Sequence, residues 1–156
     1  MTEMDRADFE IREAQPGDLS ALLQLYQQLQ PNDAEMGDDL ARDRFNEILA
    51  HPYMTVLLAI ADHLPIATIT LIIIPNLTRG GAPYGLIESV VTDAAHRQRG
   101  YAGALIRHGF SHAWEMDCYK VMLLSGSKNP ATLDFYRNCG FVQDKTGFQI
   151  RRPSTL

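Results

Sequence analysis

Apolar and polar positions alternate between two rhythms along this chain. After a short strand-like stretch, Phe9 to Glu13, the break Pro16-Gly17-Asp18 is followed by Leu19, Leu22, Leu23, Tyr26 and Leu29 at helical spacing. Asp18 is placed to cap that helix, its carboxylate accepting from an orphan amide of the first turn. Pro31-Asn32-Asp33 ends the helix. A second is predicted from about Asp38 to Ala50, with Leu40, Phe45, Ile48 and Leu49 inward. The rhythm then changes. Tyr53 to Ala61 and Pro65 to Ile74 are rich in Val, Ile and Leu. They flank the tight turn Asp62-His63 and predict an antiparallel hairpin. Tyr84 to Thr92 is a further strand.

From Gly100 the helical rhythm returns through Ala102, Leu105, Ile106, Gly109, Phe110, Ala113 and Trp114, to about Met116. Tyr119 to Leu124 predicts a strand. Pro130 suits the first turn of a helix, where its missing N–H costs nothing, and that helix runs to about Asn138. Phe141 to Val142 and Phe148 to Arg152 are expected to close the sheet. Repeats, linkers and low-complexity tracts are absent from the sequence, so the expectation is one α/β domain over 1–156 with a mixed sheet.

Composition narrows the function. With 14 Lys and Arg against 19 Asp and Glu, the net charge is −5, which disfavours nucleic acid because a phosphate backbone calls for a basic face. No apolar run approaches the ~18 residues of a membrane helix, and Met1 to Glu10 is charged, without the apolar core of a signal segment. Two cysteines, Cys118 and Cys139, fit packing in a reducing cytoplasm better than a disulfide framework. His108 and His112 share a helix face, but no ligand pattern accompanies them, so no metal is expected.

The most informative segment runs from Val90 to Gly103. A strand enters a polar turn bearing Arg97, Gln98 and Arg99, and the turn enters a helix through Gly100, Tyr101, Ala102 and Gly103. The first amides of a helix lack internal partners, and the helix dipole favours negative charge there. Small residues let an anion reach the backbone, and the arginines add charge, so this is an anion site. The spacing is neither a Walker loop nor a dinucleotide glycine fingerprint.

Arg97-Gln98-Arg99-Gly100-Tyr101-Ala102 resembles the Arg/Gln-x-x-Gly-x-Gly/Ala signature of the GNAT family of N-acetyltransferases. Asn129-Pro130 through Phe135-Tyr136 to Cys139-Gly140-Phe141 resembles the same family's later motif. The resemblance is strongest from Tyr84 to Phe141. It implies a mostly antiparallel sheet of about six or seven strands with about four helices, acetyl-coenzyme A as co-substrate, and a primary amine, favoured as a small molecule, as acceptor. Attack would be direct, within a ternary complex. A protein amine as acceptor and a non-catalytic coenzyme A sensor are the alternatives. Family members often pair, which allows a homodimer.

The resemblance also assigns roles. The turn from Arg97 to Gly103 would bind the cofactor's pyrophosphate through backbone amides, and Asn129 its pantetheine arm. Tyr136 would donate to the departing thiolate; a phenol of pKa ~10 suits that task. Glu88 would take the amine's proton; it lies among Leu86, Ile87 and Val90, where burial would favour its neutral form. A bulge near Val90 and Val91 would aim an amide at the thioester carbonyl. Tyr84 to Val91 and Phe135 to Phe141 also resemble the glucosamine 6-phosphate branch. Ser125 to Asn129 departs from that branch, being longer and without an acidic residue. Arg79 would suit an anionic acceptor and the acidic loop Asp33 to Asp39 a cationic one, so the amine stays open.

Overall fold

The computed structural model describes residues 9–154. The chain forms two compact units, one ending at Leu123 and one beginning at Leu124. The first holds one five-stranded sheet. Its strands are β1 (Phe9–Glu13), β2 (Met54–Ala61), β3 (Leu64–Ile74), β4 (Tyr84–Thr92) and β5 (Val121–Leu123), in spatial order β1-β2-β3-β4-β5. The first three pairings are antiparallel; β4 and β5 run parallel. Helices α1 (Leu19–Leu29), α2 (Asp38–Ala50) and α3 (Tyr101–Glu115) belong to the same unit.

Alternation along β3 sorts the two faces of the sheet. Ile69 meets α3, since a methyl group on Gly109 would lie 3.2 Å from Ile69 Cδ1 and 3.8 Å from Ile87 Cδ1. The opposite face carries Val56 and Leu58, packed against Leu22 of α1 and Phe45 of α2. Asp62 and His63 both take positive φ, 49° and 64°, the conformation that lets a two-residue loop follow strand twist.

Five expectations are corrected. Among the described residues the sheet has five strands, not six or seven. Phe141 to Val142 and Phe148 to Arg152 join no ladder: Phe148 and Ile150 are 92% and 96% exposed, so nothing supplies the pleated, half-buried surface that their strand preference needs. β5 is three residues rather than six. Asp18 does not cap α1 with its side chain. Its carboxylate turns back to Arg12, at 2.7 and 2.9 Å, and to the Gln15 N–H at 2.7 Å. A charge-assisted bidentate pair outcompetes a single cap bond. Leu40 is exposed, and Ala41 takes the inward position beside Phe45.

The second unit holds α4 (Pro130–Asn138) and the tail beyond it. Arg137 ties the two together, donating to Asp134 at 2.9 Å and to Gln143 Oε1 at 2.6 Å. Gly140, at φ 106°, turns the chain out of the helix, with its N–H on Arg137 C=O and the Phe141 N–H on Tyr136 C=O.

Candidate active site

Strand β4 is irregular where the chemistry was expected. Thr70 pairs with Glu88 and Thr68 with Val91, so Ser89 and Val90 together oppose the single residue Ile69. That is a β-bulge, and Ser89 takes φ 53° to make it. On the other side of β4 the parallel ladder to β5 ends at Ile87 and Leu123. Beyond that point β4 runs on to Thr92 with no strand beside that edge among the described residues. Val90 is half-buried and Val91 buried. Glu88 is exposed, with no enclosure by Leu86, Ile87 and Val90: along a strand those neighbours point away or lie two residues off.

The turn after β4 is held in place by side chains. Asp93 accepts from Gln28 Nε2 at 2.9 Å and from Ala95 N–H at 3.1 Å, and lies 2.7 Å from His96 Nδ1. The Gln28 bond, followed by His96, holds the Asp93 carboxyl below its ordinary pKa. Gln28 also accepts from the Ala94 N–H at 2.9 Å, so α1 grips the start of this corner at two adjacent residues. Gln98 (φ 61°) and Gly100 (φ 86°) are both left-handed. Alternating hands turn successive amides towards one point and form an anion nest.

Helix α3 then starts without a side-chain cap. Its first internal bond is Ala104 N–H to Gly100 C=O, at 3.0 Å, so the amides of Tyr101, Ala102 and Gly103 precede the ladder. The Tyr101 ring is buried, edge-on to Phe9 at 5.1 Å and to His96 of the turn at 6.4 Å. Arg97 and Arg99 are exposed, and Arg97 Nε donates to Thr92 C=O at 3.3 Å. This donor set fits a diphosphate: three helix-start amides, a left-handed glycine with no Cβ, and two guanidinium groups.

One further cation lies here. Arg107 folds back so that its Nη1 is 3.2 Å from where a Gly103 methyl would be. Helical side chains lean towards the N-terminus, so an arginine four residues after a helix-start glycine is the signal for it. Gln28 had no comparable signal, being 65 residues from its partner.

In the second unit, Asn129 caps α4, its side-chain oxygen accepting from Ala131 N–H at 3.0 Å. Tyr136 is half-buried, 5.1 Å from the Phe135 ring and 6.1 Å from Phe141. Burial, and then Cys139, push its hydroxyl above the ordinary phenol range. Arg79 lies over the Tyr119 ring at 5.7 Å, beside the start of β4 rather than near Glu88. Burial raises the Cys118 thiol pKa, which disfavours the thiolate needed for acyl carriage.

The strand–bulge–turn–helix unit and the α4 segment lie within the stretch, residues 19–141, that matches the acetyltransferase (GNAT) family. The chain belongs to that family, the acetyl-coenzyme A-dependent N-acetyltransferases. A glucosamine 6-phosphate N-acetyltransferase of Trypanosoma brucei brucei is 33% identical over 141 residues, covering 88% of this chain and 91% of that protein. The solved structure "Putative acetyltransferase from Agrobacterium tumefaciens str. C58" is 50% identical, with a TM-score of 0.88, covering 92% of this chain and 99% of that one. AAC(6')-Iy, solved in complex with the bisubstrate analogue CoA-S-monomethyl-acetylneamine, is 22% identical and shares the fold, with a TM-score of 0.78 and coverage of 94% and 99%.

Proposed function

We propose that this protein transfers the acetyl group of acetyl-coenzyme A to the primary amine of a small molecule, by direct attack while both are bound. The observation that carries the reading is the corner from Ser89 to Gly103. A bulge, two left-handed residues, three helix-start amides and flanking arginines follow one another on a single strand–helix connection.

Each residue then has a task. The amides of Tyr101, Ala102 and Gly103, with Gln98, Arg97, Arg99 and Arg107, hold the diphosphate. The unpaired edge of β4 after Ile87 offers backbone groups to the amides of the pantetheine arm, as a sheet edge does to an added strand. Asn129 donates to the same arm through its amide nitrogen. At the bulge, the strand backbone at Val90 and Val91 presents an N–H to the carbonyl oxygen as negative charge builds there. Glu88 accepts the proton of the attacking ammonium, directly or through one water; its exposure leaves it reachable. Tyr136 keeps its proton at neutral pH and donates it to the departing sulfur. Protons balance: nitrogen gives up two, one to Glu88 before attack, which passes on to solvent, and one as the intermediate collapses, which restores the Tyr136 phenol after it has protonated the thiolate.

The Trypanosoma brucei brucei relative is named for an amino-sugar phosphate, which makes glucosamine 6-phosphate the first acceptor to try. A homodimer and a cytoplasmic setting belong to the same proposal. The exposed apolar Val142, Phe148 and Ile150 support pairing, and light scattering tests it. No helix among the described residues is long and apolar enough to cross a membrane.

The test mixes purified protein and acetyl-coenzyme A with glucosamine 6-phosphate, kanamycin, spermidine or a lysine peptide, and follows thiol release. Release dependent on one of the small amines supports the reading. Release with the peptide alone moves the acceptor to protein. Calorimetric binding of acetyl-coenzyme A without release for any amine favours a sensor, and absence of binding removes the assignment of the Arg97 to Gly103 turn.

A further inference from the structure

One imidazole touches both flanks of the turn that the proposed chemistry uses for the diphosphate. His96 Nδ1 lies 2.7 Å from Oδ2 of Asp93, the first residue after β4. The same ring stands edge-on, at 6.4 Å, to the ring of Tyr101, the first residue of α3. Between His96 and Tyr101 lie the two left-handed residues, Gln98 and Gly100. A backbone of alternating hands is held only where its surroundings determine it, and His96 contacts the chain before and after that stretch.

Hydrogen counting fixes which nitrogen of the ring titrates. Asp93 accepts from Gln28 Nε2 at 2.9 Å and from the Ala95 N–H at 3.1 Å, so its carboxylate is an acceptor on both oxygens. The Gln28 bond, and then His96, hold that carboxyl below its ordinary range, which keeps it ionised. An ionised carboxylate has no hydrogen to give, so Nδ1 of His96 donates in the 2.7 Å contact whether the ring is neutral or charged. The proton that comes and goes is the one on Nε2. Gaining it turns a neutral bond into an ion pair, and 2.7 Å is the length of a charge-assisted bond.

The charged and titratable groups around the ring are few. On its own turn Asp93 faces it, and Arg97 and Arg99 follow it in the chain. Helix α3 meets it with Tyr101, and α1 reaches its carboxylate partner with uncharged Gln28. Strand β1 meets Tyr101 with Phe9, which carries no charge. Among these side-chain types only an imidazole changes charge near neutral pH. Protonation therefore adds one positive charge to a turn whose donor set fits a diphosphate, and it tightens the bond that holds the turn to the end of β4.

We propose that His96 is a positioning residue for the diphosphate turn, and that its protonated form tightens the grip on acetyl-coenzyme A. The proposal rests on the function proposed above. A histidine bonded to a carboxylate three residues earlier is ordinarily a local clasp. The second contact, on the first residue of α3, sets His96 apart, since the ring then spans the nest. The added affinity is present when the ring is charged and is lost as pH rises and Nε2 gives up its proton.

The test follows the ring C–H signals of the five histidines by NMR as pH is varied, with His96→Asn identifying the signal of His96. Binding and protonation act on each other equally. Saturating acetyl-coenzyme A is therefore expected to raise the His96 midpoint by about half a pH unit, which equals about threefold higher affinity for the protonated form, within the range of exposed ion pairs. Calorimetry gives a second reading, the affinity of wild type divided by that of His96→Asn, in which titration of the cofactor's own phosphates cancels. The Asn amide still donates to Asp93 but takes up no proton. The ratio is expected near one at about pH 8 and about threefold at about pH 5.5. His96→Ala, without a donor, is expected to lose affinity several-fold at both. An unmoved His96 midpoint, or a ratio equal at both pH values, overturns the proposal and leaves the acetyltransferase reading intact. Unchanged affinity in His96→Ala also overturns it, by removing the positioning role. Absence of acetyl-coenzyme A binding by wild type overturns the assignment of the turn, and this proposal with it.

Discussion

The corner between β4 and α3 and the segment after Leu123 are built in opposite ways. The corner is anchored from outside itself: α1 reaches it through Gln28, β3 through the Ile66 C=O that accepts the Asp93 N–H at 2.8 Å, and β1 through Phe9 against Tyr101. The later segment is tied by bonds within its own neighbourhood, Asn129 to Ala131 and Arg137 to Asp134 and Gln143, and its tail exposes Phe148 and Ile150. Binding a diphosphate needs several donors fixed at once, which takes a rigid frame. Donating one proton needs a single hydroxyl in the right state, and a nine-residue helix with a half-buried tyrosine supplies that. In the proposed function, the grip on the diphosphate belongs to the first unit, and proton donation, with the Asn129 hold on the pantetheine arm, to the second.

The sharpest way to break this division is Tyr136→Phe. It is expected to lower kcat about 100-fold, the range of one general acid, while calorimetric affinity for acetyl-coenzyme A stays within about twofold. A matching loss of affinity would place Tyr136 in the grip instead. Next in size is Gly100→Val. A Cβ at φ 86° costs about 1–2 kcal/mol or more, so affinity for acetyl-coenzyme A is expected to fall at least about tenfold, read by calorimetry, with a lower melting temperature. Unchanged affinity would remove the anion nest.

Gln28→Ala acts on the frame alone. Losing its bonds to Asp93 and Ala94 is expected to cost about 1–2 kcal/mol of stability in urea and a few-fold in acetyl-coenzyme A affinity, without changing the amine KM. The smallest effect is a pH dependence. Arg12, and then the Gln15 N–H, hold the Asp18 carboxyl below its ordinary range despite burial. Its stabilisation is therefore present above the unfolded pKa of ~3.9 and lost as pH falls through the lower folded value. Asp18→Asn should flatten the drop in melting temperature below about pH 4; an unchanged acid limb would assign it to other carboxylates.

Most of the first unit was legible because its signals are local. Pro16 marks a helix start by restricting the backbone and Gly100 by permitting a left-handed turn, as Pro130 does by restriction in the second unit, and Asp62-His63 marks a hairpin by the conformations that short loops need. The misses arise where the fold, not the spacing of nearest neighbours, sets a residue's surroundings. Asp18 looked like a cap until Arg12 claimed it. Glu88 looked buried because its neighbours are apolar, although strand neighbours point elsewhere. Phe148 and Ile150 have the composition of a strand, but a strand is defined by what lies beside it.

The bulge at Ser89 and Val90 works like a frameshift for side chains. Up to Glu88, β4 keeps one parity, with Gly85 and Ile87 towards α3 and Glu88 opposite. After it the parity flips: Val91, opposed to Thr68, shares the face of Glu88, and Thr92, opposed to Ala67, faces the other way. Deleting Ser89 would let Val90 alone oppose Ile69 while Val91 stayed opposite Thr68 and Thr92 opposite Ala67, so every later residue would keep its face. The supernumerary residue therefore acts locally: it breaks the ladder beside Glu88 and adds twist there, which a deletion would erase and a substitution at the same position would keep.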